Sequence, residues 1–114
     1  QALEQWNNGN PNGFLELSSD DVVYFDPTFQ ERFVGKKALT DYYEGFRGKN
    51  KIDSFEMIKP VVQVMSDTTV LAYDYAARQV GQIYRMQCTE VYKLNISGQW
   101  KIIHTHWSFV LPQQ

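Results

Sequence analysis

Residues Thr89–Val110, TEVYKLNISGQWKIIHTHWSFV, read as two long strands joined by a turn. Thr89–Leu94 is rich in β-branched and aromatic residues. Asn95, Ser97 and Gly98 then supply residues that tolerate turn geometry, and strand character resumes over Trp100–Val110. Strict alternation in the second strand predicts Ile102, His104, His106 and Ser108 on one face, with Ile103, Thr105, Trp107 and Phe109 on the other. Both faces carry large or polar-aromatic groups, so both need cover: helices or a pocket on one side, another subunit on the other.

Working outward, the remaining chain supplies that cover. Leu3 and Trp6 lie three apart in an amphipathic helical segment over Gln1–Asn8, which Gly9-Asn10-Pro11-Asn12 breaks. A short helix follows with Phe14, Leu15 and Leu17, and Ser18–Asp21 reads as a polar turn. Val22–Asp26 is a strand by β-propensity, stopped by Pro27, with Val22, Tyr24 and Asp26 on one face and Val23 and Phe25 on the other. Thr28–Val34 reads as irregular. After Gly35, the residues Ala38, Leu39, Tyr42, Tyr43 and Phe46 recur at helical spacing. Lys51–Met65 gives one or two strands, with Pro60 marking an edge, bulge or bend. Thr68–Gln79 is another strand, placing Leu71, Tyr73, Tyr75 and Ala77 opposite Ala72, Asp74, Ala76 and Arg78. Helices gathered early and long strands later predict an α+β domain with helices on one face of the sheet.

At 114 residues, of which 43% are hydrophobic and 15% aromatic, residues 1–114 are expected to form one domain with a modest core. A net charge of −2 with scattered Lys and Arg argues against nucleic acid or an anionic membrane as the partner. No apolar run approaches the roughly 20 residues of a membrane span. No secretory h-region stands in the sequence, which begins at Gln1, and the compartment stays open. The single cysteine, Cys88, excludes an internal disulfide and reads as a small apolar strand residue.

This order resembles the nuclear transport factor 2-like (cystatin-like cone) superfamily, with Phe25-Asp26-Pro27 closing the first strand and WKIIHTHWS at 100–108. Within it, the chain is most similar to SnoaL-like proteins and to the association domain of calcium/calmodulin-dependent protein kinase II. LEQWNNGNPNGF (3–14) resembles the first helix and its break, DDVVYFDP (20–27) the first strand, GKKALTDYY (35–43) the third helix and SGQWKIIHTHWS (97–108) the closing hairpin. The resemblance implies a cone-shaped, strongly bent antiparallel sheet wrapped around N-terminal helices, with an apolar cavity between them. It does not imply one function, since the superfamily holds isomerases, cyclases, dehydratases, ligand carriers and oligomerisation modules.

The ketosteroid-isomerase branch carries its general base in a similar Asp-Pro context, which points to Asp26 as a catalytic candidate; Asp-Pro is also a common turn. A carboxylate in an apolar cavity has its pKa raised toward neutrality and can shuttle a proton. Glu90 resembles the second acidic group of that branch. Its oxyanion-stabilising tyrosine falls near Ala2, which cannot donate, and loss of such a donor costs about 3–4 kcal/mol. Ketosteroid isomerisation itself is therefore not expected. The kinase association domain lines its pocket with arginines, and the matching positions here are Tyr75, Glu90 and Trp107. An acid among aromatics replaces cation recognition and suits a neutral or cationic, partly flat ligand. Trp6, Tyr24, Tyr42, Phe46, Tyr73 and Phe109 complete the expected wall, although each also fits a core.

His104 and His106 lie on one strand face at a spacing that suits two metal ligands, but no third ligand is evident nearby. In the family this face often packs on a second subunit, so both are assigned to a dimer face. The leading expectation is a cofactor-free small-molecule-binding domain that forms a homodimer. The alternatives are a cofactor-independent SnoaL-like or isomerase-type enzyme using Asp26 as general base, and an oligomerisation module with a vestigial pocket.

Overall fold

Runs of β-branched and aromatic residues in the second half of the chain form a meander of four long strands. In the computed structural model these are β3 (Ser54–Met65), β4 (Thr68–Gln79), β5 (Gln82–Leu94) and β6 (Trp100–Phe109). The structure describes residues 2–7, 9–28, 30–45, 47–48, 52 and 54–110, with backbone alone at 3, 4 and 7. Leu3 and Phe46, assigned above to helix faces, have side chains outside the described set. β4 and β5 meet through Val80-Gly81, whose φ values of 51° and 76° are both positive, as a tight two-residue hairpin requires. The β5–β6 turn closes on Asn95, whose side-chain Oδ1 accepts from the Ser97 and Gln99 amides, each at 2.9 Å.

The first half adds α1 (Ala2–Asn7), α2 (Asn12–Leu17), β1 (Ser18–Phe25), β2 (Phe33–Val34) and α3 (Lys36–Glu44). The six-stranded sheet runs β2-β1-β6-β5-β4-β3. Every pair is antiparallel except β1–β6, which is parallel because the chain leaves β1 and returns only after the whole meander. The sheet is curved and unclosed, and with its helices it forms the expected α+β cone. Pro60 marks one irregularity: the β3–β4 register shifts between Ile58 and Val61, and Lys59 takes a φ of 50°. No helix among the described residues is long and apolar enough to cross a membrane.

The helices lie against one sheet face. Leu15 from α2 and Leu39 and Tyr43 from α3 pack with Val22, Tyr24 and Ile102. A second cluster, Tyr73, Tyr75, Ala77 and Cys88, continues the same face on β4 and β5. The close approach of α1 and α2 depends on Gly13, where a Cβ would stand 2.8 Å from the Ala2 Cα. Gly9, at φ +83°, ends α1 and lets its carbonyl accept from the Gly48 amide at 2.7 Å, tying α1 to the segment after α3.

Two expectations are corrected, besides the end of Thr28–Val34, which forms β2 in place of irregular chain. Ser18–Asp21 is strand, not turn: Ser18 pairs with Ile102, its side chain is buried, and Asp20 and Asp21 stay exposed while their backbone belongs to β1. Tertiary pairing here overrides local polarity. Second, Ile102 does not share a face with His104 and His106. Tyr92 pairs with Ile102 and Val91 with His104, so Ile103 is an extra residue in β6 and parity inverts across it. Ile102 therefore enters the core at 1% exposure, while His104 and His106 face outward, Phe25 stacking on His106 at 4.9 Å. This inversion is measurable: Ile102→Ala should cost about 2–5 kcal/mol in denaturant unfolding, and Ile103→Ala less than about half of that. Equal losses would mean the alternation is unbroken.

Candidate functional site

Inward-facing residues of neighbouring strands fall into rows across the sheet. Leu71, Glu90, Thr105 and Tyr24 pair successively in one row, Tyr73, Cys88 and Trp107 in the next, and Tyr75, Met86 and Phe109 in a third. Over the second and third rows opens a cavity of about 320 Å³. Trp6 of α1, Phe14 of α2 and Tyr42 and Tyr43 of α3 form its helical wall. Tyr24 and the segment Asp26-Pro27-Thr28 close one side, and Tyr75, Gln79, Met86, Trp107 and Phe109 form the floor.

Asp26 is the one charged residue among the described lining. Pro27 ends β1 and turns the chain so that Thr28 folds back on the carboxylate. The Thr28 amide donates to Oδ1 at 2.8 Å, and the Thr28 hydroxyl donates to the same oxygen. The other oxygen, Oδ2, accepts from the Tyr42 hydroxyl at 2.9 Å and the Tyr24 hydroxyl at 3.2 Å. Burial first, then the neighbouring Tyr43 and Asp26, raise the Tyr24 phenol well above its usual range. Burial and the hydrogen bond to Asp26 raise Tyr42 likewise. Both phenols are therefore neutral donors across physiological pH. The rings interlock, with Tyr42 stacked on Phe33 at 4.5 Å and Trp6 tilted against Tyr43 at 4.7 Å. Across the cavity Trp107 meets Tyr75 edge-on at 5.4 Å.

Glu90 has a different setting. It is 2% exposed and lies outside the cavity lining, one row deeper than Trp107 and separated from β1 by β6. Its Oε1 accepts from the Tyr92 hydroxyl at 3.0 Å, while Oε2 is buried and, among the described residues, without a hydrogen-bond partner. Burial raises its pKa above the ordinary value, and the Tyr92 bond only partly opposes that. Asp26 and Glu90 are thus not brought into one cavity. Cys88 beside it is buried, and burial pushes its thiol up, leaving it protonated and unreactive.

Of the residues expected to line a pocket, Trp6, Tyr24, Tyr42, Tyr75, Trp107 and Phe109 do so. Tyr73 instead packs in the floor beneath, edge-on to Trp107 at 5.9 Å, and Phe46 lies outside the described residues. Sequence reasoning missed Thr28, Phe14, Tyr43, Gln79 and Met86. The Asp-Pro-Thr order was a legible signal for Thr28, since Asp side chains bond backbone amides two residues on. Among the described residues no group of three His, Cys, Asp or Glu gathers as a metal site.

Comparison with known proteins places this geometry in context. The sequence profile of the SnoaL-like domain matches residues 1–103. A solved structure from Parabacteroides distasonis, described as a candidate ketosteroid isomerase, is similar at 41% identity and a TM-score of 0.88, covering 96% of this chain and 83% of that one. An NTF2-like protein of unknown function from Pseudomonas putida shares 26% identity at a TM-score of 0.82, covering 98% of this chain and 83% of that one. A candidate calcium/calmodulin-dependent protein kinase II association domain from Xanthomonas campestris, 22% identical, has a TM-score of 0.73 with coverages of 96% and 84% and shares the fold. No functionally curated protein matches the chain.

The setting of Glu90 carries a pH consequence. Between its ordinary value near 4.5 and its raised native value, the native state holds more protons than the unfolded chain. Stability contributed by Glu90 is therefore full below that window and is lost as pH rises through the native pKa. Glu90→Gln keeps the shape and the acceptor for Tyr92 and should flatten the fall in urea midpoint from pH 5 to 8. Parallel wild-type and mutant profiles would assign the slope to other groups.

Proposed function

The chain belongs to the SnoaL-like domain family, and from that premise we propose that it is a small-molecule-binding domain whose ligand occupies the aromatic cavity beside Asp26. The observation that carries this reading is a lone carboxylate, held by four donors, on the wall of a 320 Å³ aromatic cavity. Cavities near that size take small ligands, with apolar walls supplying affinity and a few placed polar groups supplying orientation. A thermal-shift screen of metabolites should find compounds that stabilise the wild type by about 2.7 kcal/mol at 100 times their dissociation constant. Trp107→Ala should abolish those shifts. Ligands that stabilise both proteins equally would bind elsewhere.

A second reading is favoured by the resemblance to the candidate ketosteroid isomerase: a cofactor-independent enzyme in which Asp26 moves a proton. Turnover of a screened ligand, lost in Asp26→Asn with affinity kept, would select it. Glu90 then acts at most from behind the cavity wall.

We also propose a homodimer through the outer sheet face, where Phe25 contacts both His104 and His106. Fold neighbours described as association domains support this reading. Phe25→Glu, which places a charge at the centre of that face, should give a monomer by sedimentation; a wild type already monomeric at high concentration would remove the proposal.

A further inference from the structure

We infer that the ligand of this cavity is an organic ammonium cation, with Asp26 acting as a fixed negative charge and not as a proton acceptor. The inference rests on the binding reading above and names its ligand class.

A carboxylate offers about four lone-pair directions. In Asp26 four donors fill them: two from Thr28 on Oδ1, and the Tyr24 and Tyr42 phenols on Oδ2. A general base must present a lone pair to the proton it takes. Here one of these bonds would first have to break. All four contacts are accepted by its two oxygens, the bonding pattern of a carboxylate whose lone pairs are occupied.

No lysine, arginine or histidine stands among the described lining residues, so the described lining supplies no counter-charge. Its walls are instead aromatic, with Trp6, Tyr43, Tyr75 and Trp107 around one space. Electron-rich ring faces attract cations, more strongly where water is excluded. The two features select in the same direction. An anion would be repelled by Asp26, and a neutral ligand would gain the walls but not the charge. With the acceptor sites of Asp26 filled, an N–H donor gains little over N–CH₃, so a tertiary or quaternary ammonium carrying apolar groups fits best.

The test titrates wild-type protein with benzyltrimethylammonium, its neutral carbon isostere neopentylbenzene and the anion phenylacetate, followed by ligand-observed NMR. The cation is expected to bind about tenfold or more tightly than the isostere, with phenylacetate weakest. Asp26→Asn should cut that preference back to the part the rings supply, whereas Thr28→Val, which removes one donor and keeps the charge, should retain it in full. If the isostere or phenylacetate binds as tightly as the cation, the ammonium assignment is overturned and the binding reading stands. If none of the three binds, while screened metabolites of another class shift the melting temperature in a Trp107-dependent way, the assignment also falls alone. If nothing binds at all, both fall. A cation preference that survives Asp26→Asn undiminished overturns the role of the carboxylate. Should that variant not fold, the wild-type comparison of cation and isostere decides by itself.

Discussion

β6 is the strand through which the two halves of the chain meet. It pairs antiparallel with β5 of the meander and parallel with β1, the first strand of the N-terminal half. The cavity floor and the Asp26 side of the wall are therefore held in register by one strand's backbone hydrogen bonds. The extra residue at Ile103 is what lets this strand serve both neighbours. It sends Ile102 into the helical core, then restores alternation so that Thr105 and Trp107 point inward and the histidines outward. A strand without that bulge would put either Ile102 or Trp107 on the wrong face, and the core or the cavity would lose its anchor.

The two inward carboxylates show how differently the fold treats the same chemical group. Asp26 stands where a strand ends, and a turn and two phenols can reach it, so its charge is fully solvated by protein donors. Glu90 stands mid-strand, where Tyr92 on the same strand donates to one oxygen and, among the described residues, the other is left without a partner. The second arrangement opposes the ionised form. That contrast separates a group suited to meet a ligand from one that mainly constrains stability.

The resemblance of the sequence to a cone-fold family, and the parity of its regular strands, were legible from local signals. Val22 and Tyr24 alternate inward against Val23 and Phe25, and Tyr73, Tyr75 and Ala77 do so against Asp74 and Ala76, in agreement with burial. The stripe of Leu39 and Tyr43 on α3 likewise faces the core. Such periodicities depend only on residues two to four apart, and side-chain direction follows from backbone geometry alone. Pro60 could be read as an edge, bulge or bend for the same reason, because a missing amide and a fixed φ act locally.

What the sequence by itself determined is thus the helices and the long strands, the face each residue takes where alternation is regular, and the presence of aromatic and acidic groups on the inner face. Tertiary structure alone decided the inversion at Ile103, the strand pairing of Ser18, the parallel β1–β6 contact and the separation of Asp26 from Glu90. It also decided that Tyr42, sixteen residues from Asp26, donates to its carboxylate. Each of these depends on which backbone or side chain lies across a gap in space. A bulge exists only relative to a partner strand, and a hydrogen bond between helix and strand exists only once the helix has docked.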